Sequence, residues 1–172
     1  MITPSRQDRT FFTRDVLEVA RDLVGTDLVL VHPGGIVRKY EILETEAYRG
    51  ELDMACHASK GRTNRTEVMY GEGGRIYMYL IYGMYWMMNF VAGEKNDPQA
   101  VLIRAVTGFN GPGKLTRALG IDRTFYGEDL TSSDRIWIEH QGRKCIISTL
   151  PRIGIDYAGE PWKSMLWRFC KE

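Results

Sequence analysis

The chain opens on a helical period and then turns to strand-like alternation. Val16, Leu17, Ala20, Leu23 and Val24 recur on one helical face, which predicts a helix over residues 14–24, capped by Thr13 and ended by Gly25. Asp27–His32 and Ile36–Tyr48 read as strands joined by the Pro33-Gly34-Gly35 turn. Residues 50–74 are polar and loop-like, and strands are expected at 75–81, 84–91 and 100–106. Pro112–Leu119 reads as a short helix with Gly120 just past its end, and 135–140, 144–153 and 165–169 read as further strands. The pattern predicts an α+β fold: one compact domain over residues 1–172, with a curved, mostly antiparallel sheet, flanking helices and a protruding β-hairpin.

One stretch tests that picture. Residues 76–93 carry no charge and reach the length of a membrane-span candidate. They also contain Tyr77, Tyr79, Tyr82, Tyr85 and Asn89 with Gly83 in the middle, which suits two strands around a turn better than a lipid-facing helix. No membrane association is expected. Cys56, Cys145 and Cys170 are too few and too scattered for a disulfide framework, and the dispersed His and Cys residues suggest no metal site. The polar start, residues 1–10, does not read as a signal peptide, so an intracellular location is expected: cytoplasm and nucleoid in a bacterium, nucleus in a eukaryote.

A net charge of +1 points to no partner by itself, so the distribution matters. Glu41, Glu44, Glu46, Glu51 and Asp53 crowd one segment, whereas Lys60, Arg62, Arg65 and Arg75, and later Arg104, Lys114, Arg117 and Arg123, outweigh the acids around them. These basic segments allow a positive face; alternating surface charge explains them equally well.

Four groups of residues could carry chemistry. In Glu44-Thr45-Glu46-Ala47-Tyr48, strand alternation aims Ile42, Glu44, Glu46 and Tyr48 the same way, and a carboxylate beside an aromatic ring can serve as a general base next to a stacking platform. A solvent-facing acidic edge is the plainer reading. Arg104 lies in an apolar strand and calls for a carboxylate partner, Glu44 or Glu46. In the aromatic block 77–85, Tyr77, Tyr79 and Ile81 share one face, and Gly83 lets Tyr82 project at a hairpin tip, where DNA bases could stack; core packing is the alternative use of such rings. Gly111-Pro112-Gly113-Lys114 opens a helix whose free N–H groups suit a phosphate, without the spacing of a nucleotide-binding P-loop.

Taken in order, these blocks resemble the alkyladenine (3-methyladenine) DNA glycosylase family of the mammalian type, also found in bacteria. The motifs are Ala20-Arg21-Asp22-Leu23-Val24-Gly25, Glu44-Thr45-Glu46-Ala47-Tyr48, His57, Gly61-Arg62-Thr63-Asn64-Arg65, the 77–85 block through Asn89, Val101-Leu102-Ile103-Arg104-Ala105, Gly111-Pro112-Gly113-Lys114-Leu115 and Arg152-Ile153-Gly154-Ile155. The resemblance covers nearly the whole chain. It implies a monomeric base-excision-repair enzyme that needs no cofactor. Such an enzyme flips an alkylated or deaminated purine from double-stranded DNA and hydrolyses its N-glycosidic bond, without lyase activity. By that resemblance Glu46 activates the water, and Arg104 and the Ile153 carbonyl help to hold it. Tyr48, His57 and Tyr79 wall the base pocket, and Asn89 rejects normal guanine. Tyr82 fills the gap in the duplex, and Arg62, Arg65 and Lys114 meet backbone phosphates.

The chain departs from the family pattern in three places. Only residues 105–110 separate the Arg104 strand from Gly111, so a helix is expected to be missing there. Thr66 stands where the family commonly has Asn, and the last residues lack the family's short Pro-containing tail. Two other functions fit part of the pattern: a catalytically silent nucleic-acid-binding domain of the same fold, and a hydrolase of free nucleosides. A buried Glu46–Arg104 pair argues against the first, and an exposed Tyr82 and a basic loop against the second.

Overall fold

A computed structural model describes residues 5–142 and 144–172; the first four residues of the polar start lie outside them. Its framework is a ten-stranded sheet in which every recorded pairing is antiparallel. In chain order the elements are β1 (Ser5–Arg6), α1 (Arg9–Phe12), α2 (Val16–Leu23), β2 (Asp27–His32), β3 (Ile36–Tyr48), β4 (Ile76–Ile81), β5 (Tyr85–Ala92), β6 (Gln99–Val106), β7 (Phe109–Asn110), α3 (Pro112–Leu119), β8 (Ile136–His140), β9 (Ile147–Leu150) and β10 (Arg168–Lys171). The main order is β1-β8-β2-β3-β6-β5-β4; β10 joins β3 to β9, and β7 pairs with the end of β6. The α+β architecture predicted from the pattern is the one observed.

Alternation divides the sheet into two surfaces. Val101 and Ile103 of β6 join Met88 and Phe90 of β5, Ile42 of β3 and the apolar faces of α2 and α3 in the main core. Ala100, Tyr77 and Val91 belong to a smaller cluster on the other side, closed by Cys56, Ala58 and Met69 from the segment after β3. That segment, loop-like in sequence, is stiffened by short 3-10 turns at Gly50–Leu52, His57–Lys60 and Glu67–Tyr70.

Several expectations are corrected. The helix expected over 14–24 is α2, and a one-turn helix, α1, that the pattern did not indicate precedes it; Asp8 caps α1 and Asp15 caps α2. The Asp15 carboxylate accepts from the Leu17 N–H at 2.9 Å, so α2 starts two residues later than Thr13 capping would place it. Asp15→Ala is expected to lower stability by about 1 kcal/mol, the usual worth of an N-cap, measured by thermal or denaturant unfolding. Ile42 does not share a face with Glu44 and Glu46. Register shifts on either side of Glu44 insert a bulge in β3, which turns Ile42 into the core beneath α2 while Glu44 and Glu46 stay on the other surface. The strands expected at 144–153 and 165–169 are β9 and β10, shorter and shifted. Where a helix was expected to be missing, residues 105–110 make a tight hairpin, Ala105 facing Asn110 and Val106 facing Phe109.

The uncharged stretch 76–93 is the β4–β5 hairpin, and no helix among the described residues is long and apolar enough to cross a membrane. The three cysteines are free, and no group of metal-ligating residues is found among the described residues.

Candidate active site

A pocket of about 370 Å³ opens on the β3–β6–β5–β4 surface, near the lower end of small-molecule sites, which run from roughly 300 to 1,000 Å³. It is lined by Tyr48, His57, Tyr79, Asn89, Arg104 and Ile153, and Tyr82 lies at its mouth among the lining residues. Residues drawn from β3, β4, β5, β6 and two loops thus converge on one cavity.

Glu46 has no exposed surface and lies one layer beneath the pocket wall. Its Oε1 accepts from the Ile153 amide at 2.7 Å and faces Arg104 Nη1 at 3.5 Å; its Oε2 accepts from the Tyr48 hydroxyl at 2.7 Å. Arg104 also donates from Nε to Glu44 at 3.1 Å, and Arg168 Nη1 donates to the same carboxylate oxygen at 3.0 Å. Arg104 therefore meets both of the carboxylates proposed for it. Burial raises the Glu46 carboxyl above the ordinary range, against the opposing pull of Arg104, the Ile153 N–H and Tyr48. Burial makes this carboxylate a better base than an exposed glutamate, while the cation and two donors oppose part of that gain and hold it in one orientation. The resemblance gave the Ile153 carbonyl a part in holding the water; the Ile153 N–H makes a separate contact, to Glu46 itself.

The walls are aromatic. His57 packs edge-on against Tyr79 with ring centroids 4.5 Å apart, and its Nδ1 lies 2.9 Å from the Tyr77 hydroxyl. Burial, with help from Arg65, pulls the His57 pKa down to about 4, so the ring is neutral at physiological pH. Burial also raises the Tyr48 and Tyr79 hydroxyls well above their usual pKa, which keeps both as neutral donors. Asn89 is buried, and its Nδ2 donates to the Tyr77 and Met87 carbonyls at 3.3 Å each, so its amide is tied to the β4 and β5 backbones.

Tyr82 opens the three-residue connection between β4 and β5, with φ +51° followed by Gly83 at +64° and the Met84 N–H bonded to the Ile81 carbonyl at 3.1 Å. It is 87% exposed, and Leu80 and Met84 beside it are exposed too. A tyrosine held in the left-handed region, with its ring in water, lacks a packing reason for either feature.

The basic residues separate. Lys114 is exposed in the first turn of α3, whose Pro112 lines the pocket. That helix start lies close to β5 because Gly113 has no Cβ; one placed there would fall 2.8 Å from the Tyr85 ring. Arg65 stands over the Tyr79 ring at 5.4 Å and near both His57 nitrogens, at the pocket rim. Arg62 is not a free cation: it makes a two-point pair with Glu67 at 2.8 and 2.6 Å and covers the Tyr70 ring. Thr66 organises this loop, its hydroxyl accepting from the Thr63 N–H at 3.0 Å and donating to the Gly61 carbonyl at 3.2 Å.

The residues read from sequence did not include Asp53 and Arg152 as a pair. Their side chains are fully buried and bonded at 2.5 and 2.9 Å, behind Tyr48. Arg152 lay within a recognised motif, but no spacing rule joins it to an acid 99 residues away.

The family model described as methylpurine-DNA glycosylase matches residues 10–109 and 107–172, two matches that overlap at the β6–β7 hairpin. Among curated proteins the chain is 45% identical to one from Methanocella arvoryzae (90% of this chain, 89% of that one). It is 42% identical to one from Psychrobacter cryohalolentis (93% and 89%) and 44% identical to one from Borrelia garinii subsp. bavariensis (94% of each). All three carry the description "Putative 3-methyladenine DNA glycosylase". The chain belongs to the methylpurine-DNA glycosylase family. DNA is the partner that this membership implies.

Proposed function

We propose that this protein flips alkylated or deaminated purines out of duplex DNA into the aromatic pocket and hydrolyses their N-glycosidic bond with a water activated by Glu46. Candidate substrates are 3-methyladenine and 7-methylguanine, with hypoxanthine and ethenoadenine as further possibilities for the same cavity. The observation that carries the reading is the buried Glu46, bonded to Tyr48 and Ile153 in the wall of an aromatic cavity large enough to admit a purine. An extrahelical base stacks between Tyr48, His57 and Tyr79, and a methylated, positively charged purine gains about 0.5–2 kcal/mol per cation–π contact. As the base enters, the layer above Glu46 parts to admit one water beside Arg104 and Ile153. Glu46 takes a proton from that water, the new C1′–O bond forms, and the C1′–N bond breaks with its electron pair passing to the purine: a cationic methylated purine leaves as the neutral base, a neutral lesion takes up one proton from solvent as it leaves, and an abasic site remains. Excision through water needs no lysine nucleophile, so the DNA strand stays intact. The protein works as a monomer and without a cofactor.

Single-turnover assays on duplexes carrying one lesion, with the free deoxynucleoside as control, test this reading. Excision from the duplex alone is expected. Excision from the nucleoside at a similar rate means a nucleoside hydrolase, and tight lesion binding with no excision means a silent binding domain.

The same reading places the duplex across the pocket mouth, with Lys114 against a phosphate. Affinity should fall linearly in a log–log plot against salt, each neutralised phosphate adding about 0.9 to the slope. Lys114→Ala should reduce the slope by roughly one unit, and an unchanged slope puts Lys114 away from the DNA. Arg62→Ala should change it less, since Glu67 already neutralises that guanidinium.

A further inference from the structure

Glu46 depends for its orientation on two donors that lie far apart in sequence, the Tyr48 hydroxyl and the Ile153 amide. Both rest on one side chain. Arg152 immediately precedes Ile153, and its guanidinium lies 4.8 Å from the Tyr48 ring and 4.9 Å from the Trp167 ring. It donates to Asp53 through both terminal nitrogens and to the Ala47 carbonyl at 3.0 Å, which lies between Glu46 and Tyr48 on β3. Asp53 in turn accepts from the Arg49 and Ala55 N–H groups, both at 3.0 Å, so the acid is held on the loop that follows β3. Neither side chain of the pair has exposed surface.

A buried ion pair of this kind is a weak source of stability, because the desolvation of two charges offsets much of their attraction and a well-packed apolar pair often does as well. Its contacts indicate another use. The planar fork of arginine can grip a carboxylate and a carbonyl while its face stacks on an aromatic ring, which a lysine cannot do.

We propose that the Asp53–Arg152 pair is the positioning element of the site, locking the Tyr48 ring and the 152–155 loop together so that both donors meet Glu46 at once. Arg152 touches neither the base nor the water; it acts through Tyr48 and Ile153. This rests on Glu46 being the base of the proposed reaction.

The groups that face Glu46 are Glu44 and Tyr48 from its own strand, Arg104 from β6, Tyr79 from β4, and Ile153 and Tyr157 from the loop beyond β9. Loosening Tyr48 and Ile153 removes two of the three influences that hold the carboxyl down and leaves Arg104 alone to oppose burial and Glu44. Two variants test this: Arg152→Lys, which keeps the charge without the fork, and the neutral double variant Asp53→Asn/Arg152→Gln. The measurements are the Glu46 titration midpoint by carboxyl carbon NMR on the free protein, and single-turnover excision from lesion duplex. The expected result is a higher midpoint in each folded variant. Excision should fall by about tenfold, within the range that small misplacements of a reacting group produce, and by more than lesion-DNA affinity falls. A folded variant with the wild-type midpoint and rate overturns the proposal. Loss of the native fold in both variants overturns it as well, since the pair is then a fold determinant. If wild-type protein excises nothing, the glycosylase reading fails, while the titration still decides the role of the pair.

Discussion

Glu46→Gln is expected to bind lesion-containing duplex DNA as the wild type does and to excise the base about 10²–10⁴-fold more slowly, the usual contribution of a general base. The amide oxygen can keep the Ile153 N–H bond while the amide NH2 donates to the Tyr48 oxygen, reversing that bond, but the amide has no lone pair basic enough to take a proton from water. Wild-type excision should fall on the acid side as Glu46 gains its proton. Because burial raises this carboxyl, the fall should lie at higher pH than for an exposed glutamate, and the variant should lack it. Near-normal single-turnover excision by Glu46→Gln would remove Glu46 from the mechanism. Stability moves the other way. The folded protein holds the Glu46 proton more tightly than the unfolded chain does. That group therefore adds stability at low pH and loses it as pH rises through the raised folded pKa. At neutral pH Glu46→Gln should unfold at a temperature no lower than wild type, because it replaces a buried charge with a neutral amide. Arg104 keeps Glu44 as its partner in that variant.

Tyr82→Ser is expected to lower excision of a paired lesion by about tenfold or more, since base–aromatic stacking is worth about 1–3 kcal/mol and nothing then fills the vacated stack. A lesion in a mismatch or bulge should lose less, because its unstacking is already partly accomplished. Thermal stability should barely change. The ring is 87% exposed, and serine meets the same left-handed backbone at the turn. A large loss of stability with equal effects in every lesion context would make the hairpin tip a packing element and end its assignment as the wedge.

Much of the framework was legible in the chain. Asp27–His32, Ile36–Tyr48 and Pro112–Leu119 have the bounds that alternation, glycine turns and capping residues predict, because those signals are local and the backbone obeys them locally. The position of Tyr82 was legible for the same reason: a tight turn through Tyr82 and Gly83 leaves the tyrosine in solvent. Motif order then sufficed to place Glu46, Tyr48, His57, Tyr79, Asn89, Arg104 and Ile153 around one site, as the pocket lining and the contacts of Glu46 show. Local rules failed where a distant partner decides. The bulge that turns Ile42 into the core depends on β3 pairing with β6 on one side and β10 on the other, and period-two alternation along one strand cannot register it. Arg62 looks like a free phosphate contact until Glu67 folds back on it. The contact of Glu46 with the Ile153 amide and the Asp53–Arg152 pair behind Tyr48 join residues about a hundred positions apart. The sequence by itself determined which elements form and which residue types the site contains. Only the tertiary structure decided how those residues are buried and paired, because desolvation and charge pairing depend on what lies across the fold and not on what lies next in the chain.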